Sequence, residues 1–154
     1  MSAYEVCKKA CDTIKSGKYD VMILNFANCD MVGHTGNFAA TKISMEALDL
    51  CLERILKAVD ESNGIAIITA DHGNADEMYE LDKSGAAKLN KNGAPKAKTS
   101  HTLNPVPCYI YDNFYSDKYT LVDGKYGLAN IAATVVTLLG EDAPDFWQNS
   151  MIKR

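Results

Sequence analysis

The chain contains three histidines, His34, His72 and His101, and each falls in or beside a segment that reads as a loop next to a strand. Two of them have an aspartate at short range: Asp30 precedes His34 by four residues, and Asp71 directly precedes His72. One helical turn between Asp30 and His34 would aim a carboxylate and an imidazole at the same point, as metal chelation requires. A single D-x-x-x-H is weak by itself, because acidic residues and histidines are common in surface loops. Together with His101, the two Asp/His sets offer oxygen and nitrogen ligands enough for two divalent ions if other parts of a protein help. Structural hydrogen bonds account for any one of these five residues far more readily than for all of them.

Asn74, Asp76 and Glu77 follow the second pair and read in two ways, as partners that orient the ligands or as caps and favourable charges at a helix N-terminus. Lys83, Lys88, Lys91, Lys96 and Lys98 crowd the stretch before His101, where they either raise the potential for an anionic substrate or simply keep a loop solvated. Cys7, Cys11, Cys29, Cys51 and Cys108 are odd in number and form no C-x-x-C pair. They suggest neither a disulfide framework nor a thiolate zinc site, and read as small core or helix-face residues.

The elements that must position these residues alternate. Ser2 and Glu5 have the spacing of a capping box, so a helix is expected from there to about Ser16, stopped by Gly17. Tyr19 to Asn25 is a short apolar run that fits a strand buried on both faces, followed by the loop of Asp30 and His34. Leu48, Cys51, Leu52, Ile55 and Val59 form the stripe of an amphipathic helix within 41–61. The unbroken apolar run Gly64 to Ala70 reads as the central strand of a parallel sheet and ends on Asp71 and His72, the edge where open α/β sheets bind ligands. Residues 81–100 show no periodicity and are expected to form an exposed loop. Val106 to Tyr111 reads as a strand, Leu128 to Leu139 as a helix closed by Gly140, and the tail carrying Trp147 is expected to pack back. The alternation is that of an α/β protein, with no internal repeat or linker, so a single domain over 1–154 is expected.

With 154 residues, 47% of them hydrophobic, 23% charged and a formal net charge of -4, the composition is that of a folded soluble chain able to bury a core. It lacks the clustered positive charge that nucleic acid or an anionic membrane selects, and it contains neither a bilayer-length apolar run nor a secretory leader pattern. A cytoplasmic protein without nucleic-acid or membrane partners is the expectation.

Three segments carry a resemblance. Asn28-Cys29-Asp30-Met31-Val32-Gly33-His34-Thr35-Gly36, Thr69-Ala70-Asp71-His72-Gly73-Asn74-Ala75-Asp76-Glu77, and His101-Thr102 with Asn104-Pro105-Val106-Pro107 resemble, in order and identity, the C-terminal motifs of 2,3-bisphosphoglycerate-independent phosphoglycerate mutases. These belong to the alkaline phosphatase superfamily. The resemblance covers essentially the whole chain, since Ser2-Ala3-Tyr4-Glu5-Val6 and Lys18-Tyr19-Asp20 also look like the lead-in to those motifs.

The resemblance implies an alkaline-phosphatase-like three-layer sandwich, a largely parallel sheet with helices on both faces, incomplete because its N-terminal part and the inserted transferase domain are absent. It implies Asp30, His34 and His101 as ligands of one metal, and Asp71 and His72 as part of the set for a second. No catalytic nucleophile is expected in this chain, the family's serine lying upstream; Ser44 and Ser100 do not match it. The implied reaction interconverts 3-phosphoglycerate and 2-phosphoglycerate in glycolysis through a phosphoserine intermediate and two divalent ions. Manganese is expected, with cobalt, zinc or magnesium as substitutes, and there is no requirement for 2,3-bisphosphoglycerate. The small-molecule substrates are partners of the full enzyme, which is expected to be a monomer, whereas this chain is expected to self-associate and to be inactive alone. The alternatives are a stand-alone metallophosphatase of the same superfamily and a non-catalytic metal-binding module.

Overall fold

In a computed structural model that describes residues 2–154, two helices supply the main core. Helix α1 (Ala3–Lys15) and helix α3 (Phe38–Glu61) meet along small side chains, Ala3, Cys7 and Ala10 against Cys51, Ile55 and Val59, with Leu24, Phe26 and Tyr111 packed around them. Cys7 and Cys51 are fully buried at this seam, and all five cysteines are free thiols. Burial is the main influence raising the Cys7 and Cys11 thiols above their usual range, as expected of inert core cysteines. The stripe expected on α3 is the face turned inward, and Asn37 caps it by accepting a hydrogen bond from the Ala40 amide at 3.0 Å.

Helix α1 ends as its sequence requires, with Gly17 in the left-handed region at φ 59°. Its start differs from expectation: Ser2 makes no side-chain cap, so the capping box with Glu5 does not form. Helix α2 (Asn28–Gly33) is short, and the Asp30/His34 segment expected as loop is largely this helix.

Strand β1 (Ala66–Thr69) lies within the expected run, but its partner is β2 (Cys108–Tyr111) in antiparallel register, Ala66 opposite Tyr111 and Thr69 opposite Cys108. The parallel central strand is therefore corrected: the ladders formed by the described residues are two antiparallel pairs. Residues 21–26 have no ladder partner among the described residues, and Ile23 is 93% exposed, so the doubly buried strand over Tyr19 to Asn25 is corrected as well. An apolar run becomes a strand only where another backbone offers its N–H and C=O groups, and no other described segment does so here.

Residues 81–100 are exposed and free of helix and strand, as expected, but they are not without periodicity. They contain a tandem repeat, Leu81-Asp82-Lys83-Ser84-Gly85-Ala86-Ala87-Lys88 followed by Leu89-Asn90-Lys91-Asn92-Gly93-Ala94-Pro95-Lys96, and both copies build the same turn. Asp82 Oδ1 accepts from the amides of Ser84 and Ala86 at 2.8 and 3.1 Å, and Asn90 Oδ1 from those of Asn92 and Ala94 at 2.9 and 3.1 Å. Gly85 and Gly93 occupy the matching left-handed positions at φ 85° and 78°. The Asp/Asn exchange and a period of eight, which matches neither helix nor strand, hide the repeat from a search for those periods.

The chain divides into two compact units, Met1–Tyr111 and Asp112–Arg154. In the second, α4 (Asn130–Leu138) is closed by Gly140 at φ 93°, and β3 (Thr120–Leu121) pairs antiparallel with β4 (Ile152–Lys153). The tail packs back through Thr134, whose hydroxyl is fully buried with its residue and accepts from the Met151 amide at 2.9 Å. Trp147 remains 38% exposed and Phe146 86%. No described helix is long and apolar enough to cross a membrane.

Candidate metal centre

Helix α2 sets the first two groups. The His34 amide donates to the Asp30 carbonyl at 3.0 Å, closing one turn, so both side chains project from the same face and His34 Nε2 comes to 3.2 Å from Asp30 Oδ1. His72 follows β1, and the next residue, Gly73, bridges to Thr102, whose amide donates to the Gly73 carbonyl at 2.9 Å. That bridge places His101 beside His72, their rings stacked at 3.6 Å and 18°. His101 Nε2 then lies 3.0 Å from Asp30 Oδ1 and 3.1 Å from His34 Nε2. Two glycines make room: a Cβ on Gly73 would overlap Thr102 Oγ1, and one on Gly33 would overlap the Asn74 amide oxygen.

One backbone carbonyl decides what these atoms can do. His34 Nδ1 stands 2.6 Å from the Thr99 carbonyl, which can only accept, so Nδ1 carries the proton and the neutral ring presents a lone pair at Nε2. That lone pair faces a carboxylate oxygen and a second imidazole nitrogen across a triangle with edges of 3.0 to 3.2 Å. Three such atoms this close need a proton or a metal cation among them. Ligand atoms about 2.1 Å from one ion stand roughly 3.0 to 3.4 Å apart in octahedral or tetrahedral geometry, so this triangle fits a divalent ion. Among the described residues, Asp30, His34 and His101 form a group whose donor atoms all lie within 4.8 Å of one another.

Burial raises the Asp30 carboxyl most, but the hydrogen bond from Asn74 and the positive charge that the three imidazoles carry when protonated together outweigh it and hold it below its usual range. Asn74 Nδ2 donates to Asp30 Oδ1 at 2.7 Å and approaches the Asp30 carbonyl at 3.3 Å, which aims the carboxylate. His72 touches the same cluster, its Nδ1 4.0 Å from Asp30 Oδ1. That nitrogen is buried and has no hydrogen-bond partner among the described residues, the state of an atom left for a ligand. Asp71 lies further out, its side chain 74% exposed and its Oδ1 3.6 Å from His72 Nε2. The structure thus gathers Asp30, His34 and His101 at one point with His72 against them, and leaves Asp71 at the rim.

Asp76 and Glu77 are not helix caps, since the chain turns there without forming a helix. Asp76 Oδ2 accepts from Thr102 Oγ1 at 3.0 Å and from Asn104 Nδ2 at 2.7 Å, and Glu77 Oε1 accepts from Lys98 Nζ at 2.6 Å. Burial presses the Asp76 carboxyl upward most strongly, yet the Asn104 and Thr102 donors outweigh it and its pKa falls. These bonds tie the segment carrying His72 to the segment carrying His101. Lys98 is read at the sequence level only as a loop charge, Thr102 and Asn104 only as motif members, and Thr99 has no reading. Thr99 acts through its carbonyl, which no residue type announces.

The Metalloenzyme superfamily model matches residues 1–143. A 2,3-bisphosphoglycerate-independent phosphoglycerate mutase of Trypanosoma brucei brucei is 43% identical over 155 residues, covering 99% of this chain and 28% of the relative. The 2,3-bisphosphoglycerate-independent phosphoglycerate mutase 2 of Methanosarcina barkeri is 47% identical over 144 residues, covering 94% of this chain and 25% of the relative. A crystal structure of Leishmania mexicana phosphoglycerate mutase at low cobalt concentration superposes with a TM-score of 0.94 at 41% identity, over 99% of this chain and 28% of that one. The chain therefore spans about a quarter of the length of these relatives, and the likeness supports an alkaline-phosphatase-like α/β fold. A match over nearly its whole length, with a cluster of donor atoms spaced for a divalent ion, means that the chain belongs to the Metalloenzyme superfamily.

Proposed function

We propose that this chain is the metal-binding C-terminal part of a cofactor-independent phosphoglycerate mutase, which interconverts 3-phosphoglycerate and 2-phosphoglycerate. Asp30, His34 and His101 hold one divalent ion, while Asp71 and His72 contribute to a second site completed elsewhere in the whole protein. One observation carries the reading: the Thr99 carbonyl fixes the His34 proton on Nδ1 at 2.6 Å, so that Nε2 turns a lone pair toward Asp30 Oδ1 and His101 Nε2.

Bound ions would supply charge neutralisation of phosphoryl oxygens and lower the pKa of a nearby hydroxyl. The chain's own residues prepare the place for that chemistry. Asp30 brings a negative charge oriented by Asn74; His34 and His101 bring imidazole nitrogens; Asp76 and Glu77 tie the two loops together through Thr102, Asn104 and Lys98. The set is one of charge and position and contains no attacking group, the nucleophilic serine belonging to the upstream part of the family's domain.

Oxygen and imidazole ligands suit manganese, with cobalt, zinc and magnesium as substitutes. The Leishmania mexicana structure is described as one at low cobalt concentration, which supports cobalt among the usable ions. On this reading residues 1–154 form one part of an α/β domain in which β1 keeps its antiparallel partner β2. The protein works in the cytoplasm as a glycolytic isomerase.

The test is calorimetric titration of this chain with manganese, alongside His34→Ala and His101→Ala. Binding of one ion, lost in both variants, supports the reading; binding indifferent to them refutes it. An assay of 3-phosphoglycerate conversion by the chain alone is expected to show no turnover. Turnover abolished by His101→Ala would overturn the assignment of the nucleophile to a segment outside these residues.

A further inference from the structure

Between the segment of His72 and that of His101, the two repeat turns close on themselves. Glu80, Lys88 and Lys96 are spaced eight residues apart and occupy equivalent places. The Lys88 amide donates to the Glu80 carbonyl at 2.7 Å, the Lys96 amide to the Lys88 carbonyl at 2.7 Å, and the Glu80 amide to the Lys96 carbonyl at 2.9 Å. Three residues therefore form a ring in which each uses both its N–H and its C=O. The side chains converge too, with Lys96 Nζ 2.7 Å and Lys88 Nζ 3.5 Å from the Glu80 carboxylate oxygens.

The ring determines where the chain leaves. Two residues beyond Lys96, the Lys98 amide donates to the Met78 carbonyl at 2.9 Å; three beyond, Thr99 accepts the His34 proton; five beyond stands His101. A free loop of this length would bring its ends together at an entropic cost and with little angular definition. The ring replaces it with two closed turns that return to their starting place. Two ammonium groups meeting at this point repel each other, and the single carboxylate between them removes the repulsion. Consistent with that, Lys96 is the largest of the causes holding the Glu80 carboxyl below its usual range.

We propose that Glu80 is a positioning residue for the metal centre: by holding Lys88 and Lys96 on one carboxylate it closes the three-residue ring that delivers the Thr99 carbonyl to His34 and His101 to Asp30. The proposal builds on the metal-site reading given above and adds a residue outside the motifs. Because the three places are equivalent, the carboxylate should serve from another of them.

The test uses the tautomer of His34, read from the side-chain nitrogen resonances of the 15N-labelled, metal-free chain, together with calorimetric titration by manganese. The wild-type ring is expected to show the Nδ1–H form. Glu80→Lys, which places three ammonium groups at the ring, is expected to mix in the Nε2–H form and to weaken manganese binding roughly 3- to 10-fold. Combining Glu80→Lys with Lys88→Glu moves the carboxylate to the next place and is expected to restore both readouts. The positioning role is overturned if Glu80→Lys leaves the His34 tautomer unchanged, or if the swap fails to restore it while the circular dichroism spectrum stays native. A wild-type chain that binds no manganese, but whose His34 tautomer responds to Glu80 and recovers in the swap, would remove the metal reading and keep Glu80 as the residue that positions His34.

Discussion

Asn74→Ala is the sharpest probe of how the Asp30 carboxylate is held. Asn74 is 5% exposed, and its amide donates to Asp30 Oδ1 at 2.7 Å and approaches the Asp30 carbonyl at 3.3 Å. The first of these is a hydrogen bond to a charged acceptor, worth about 1.5 to 3 kcal/mol. Outer partners of metal ligands typically change affinity by about 10- to 100-fold when removed. At about 1.4 kcal/mol per tenfold, that is a loss of roughly 1.4 to 2.8 kcal/mol, so the two ways of reaching the magnitude agree. Manganese titration of the chain is expected to show a dissociation constant raised by roughly that factor, with the helical dichroism unchanged. Gly33→Ala attacks the same contact from the other side, because its new Cβ would overlap the Asn74 amide, and should move affinity in the same direction. A native spectrum with affinity weakened less than about threefold in both variants would refute the claim that Asn74 orients Asp30.

The remaining expectations concern stability, titration and association. Ile55→Ala empties a 7%-exposed position at the α1–α3 seam and should cost about 2 to 4 kcal/mol, lowering the melting midpoint by roughly 5 to 15 °C; a shift under about 3 °C would show that the seam can collapse. Burial, followed by the hydrogen bond to Asp112 and the charge of that carboxylate, pushes the Tyr119 phenol up to about 12. Raised above its unfolded value near 10, this group contributes stability that is full below about pH 10 and lost as pH rises through about 12. Asp112→Asn should bring its ultraviolet tyrosinate transition to lower pH, and an unmoved transition would remove Asp112 as a cause. Ile23, Ile43 and Tyr109 are exposed by 93%, 66% and 63%, and residues 21–26 leave backbone groups without a ladder, so the chain should elute larger than a monomer. Ile23→Lys should shift it toward the monomer position, whereas a concentration-independent monomer for the unmodified chain would refute the expectation.

Residues near one another in the chain explain what the sequence alone determined. The α3 stripe, the stops at Gly17 and Gly140, and the aim of Asp30 and His34 at one point all depend on bonds spanning three to five residues, which spacing exposes directly. The motifs around Asp30, Asp71 and His101 are likewise written in side-chain identity. Tertiary structure decided the rest, because the partners come from far along the chain or carry no residue signature. β1 takes β2 as an antiparallel partner across the 38 residues between Thr69 and Cys108, and residues 21–26, equally apolar, find none. His101 reaches His34 from 67 positions away, held by the repeat ring and by the Gly73–Thr102 bridge. The choice of which His34 nitrogen faces Asp30 and His101 belongs to the carbonyl of Thr99, and a carbonyl is the same in every residue, so only folding could place it.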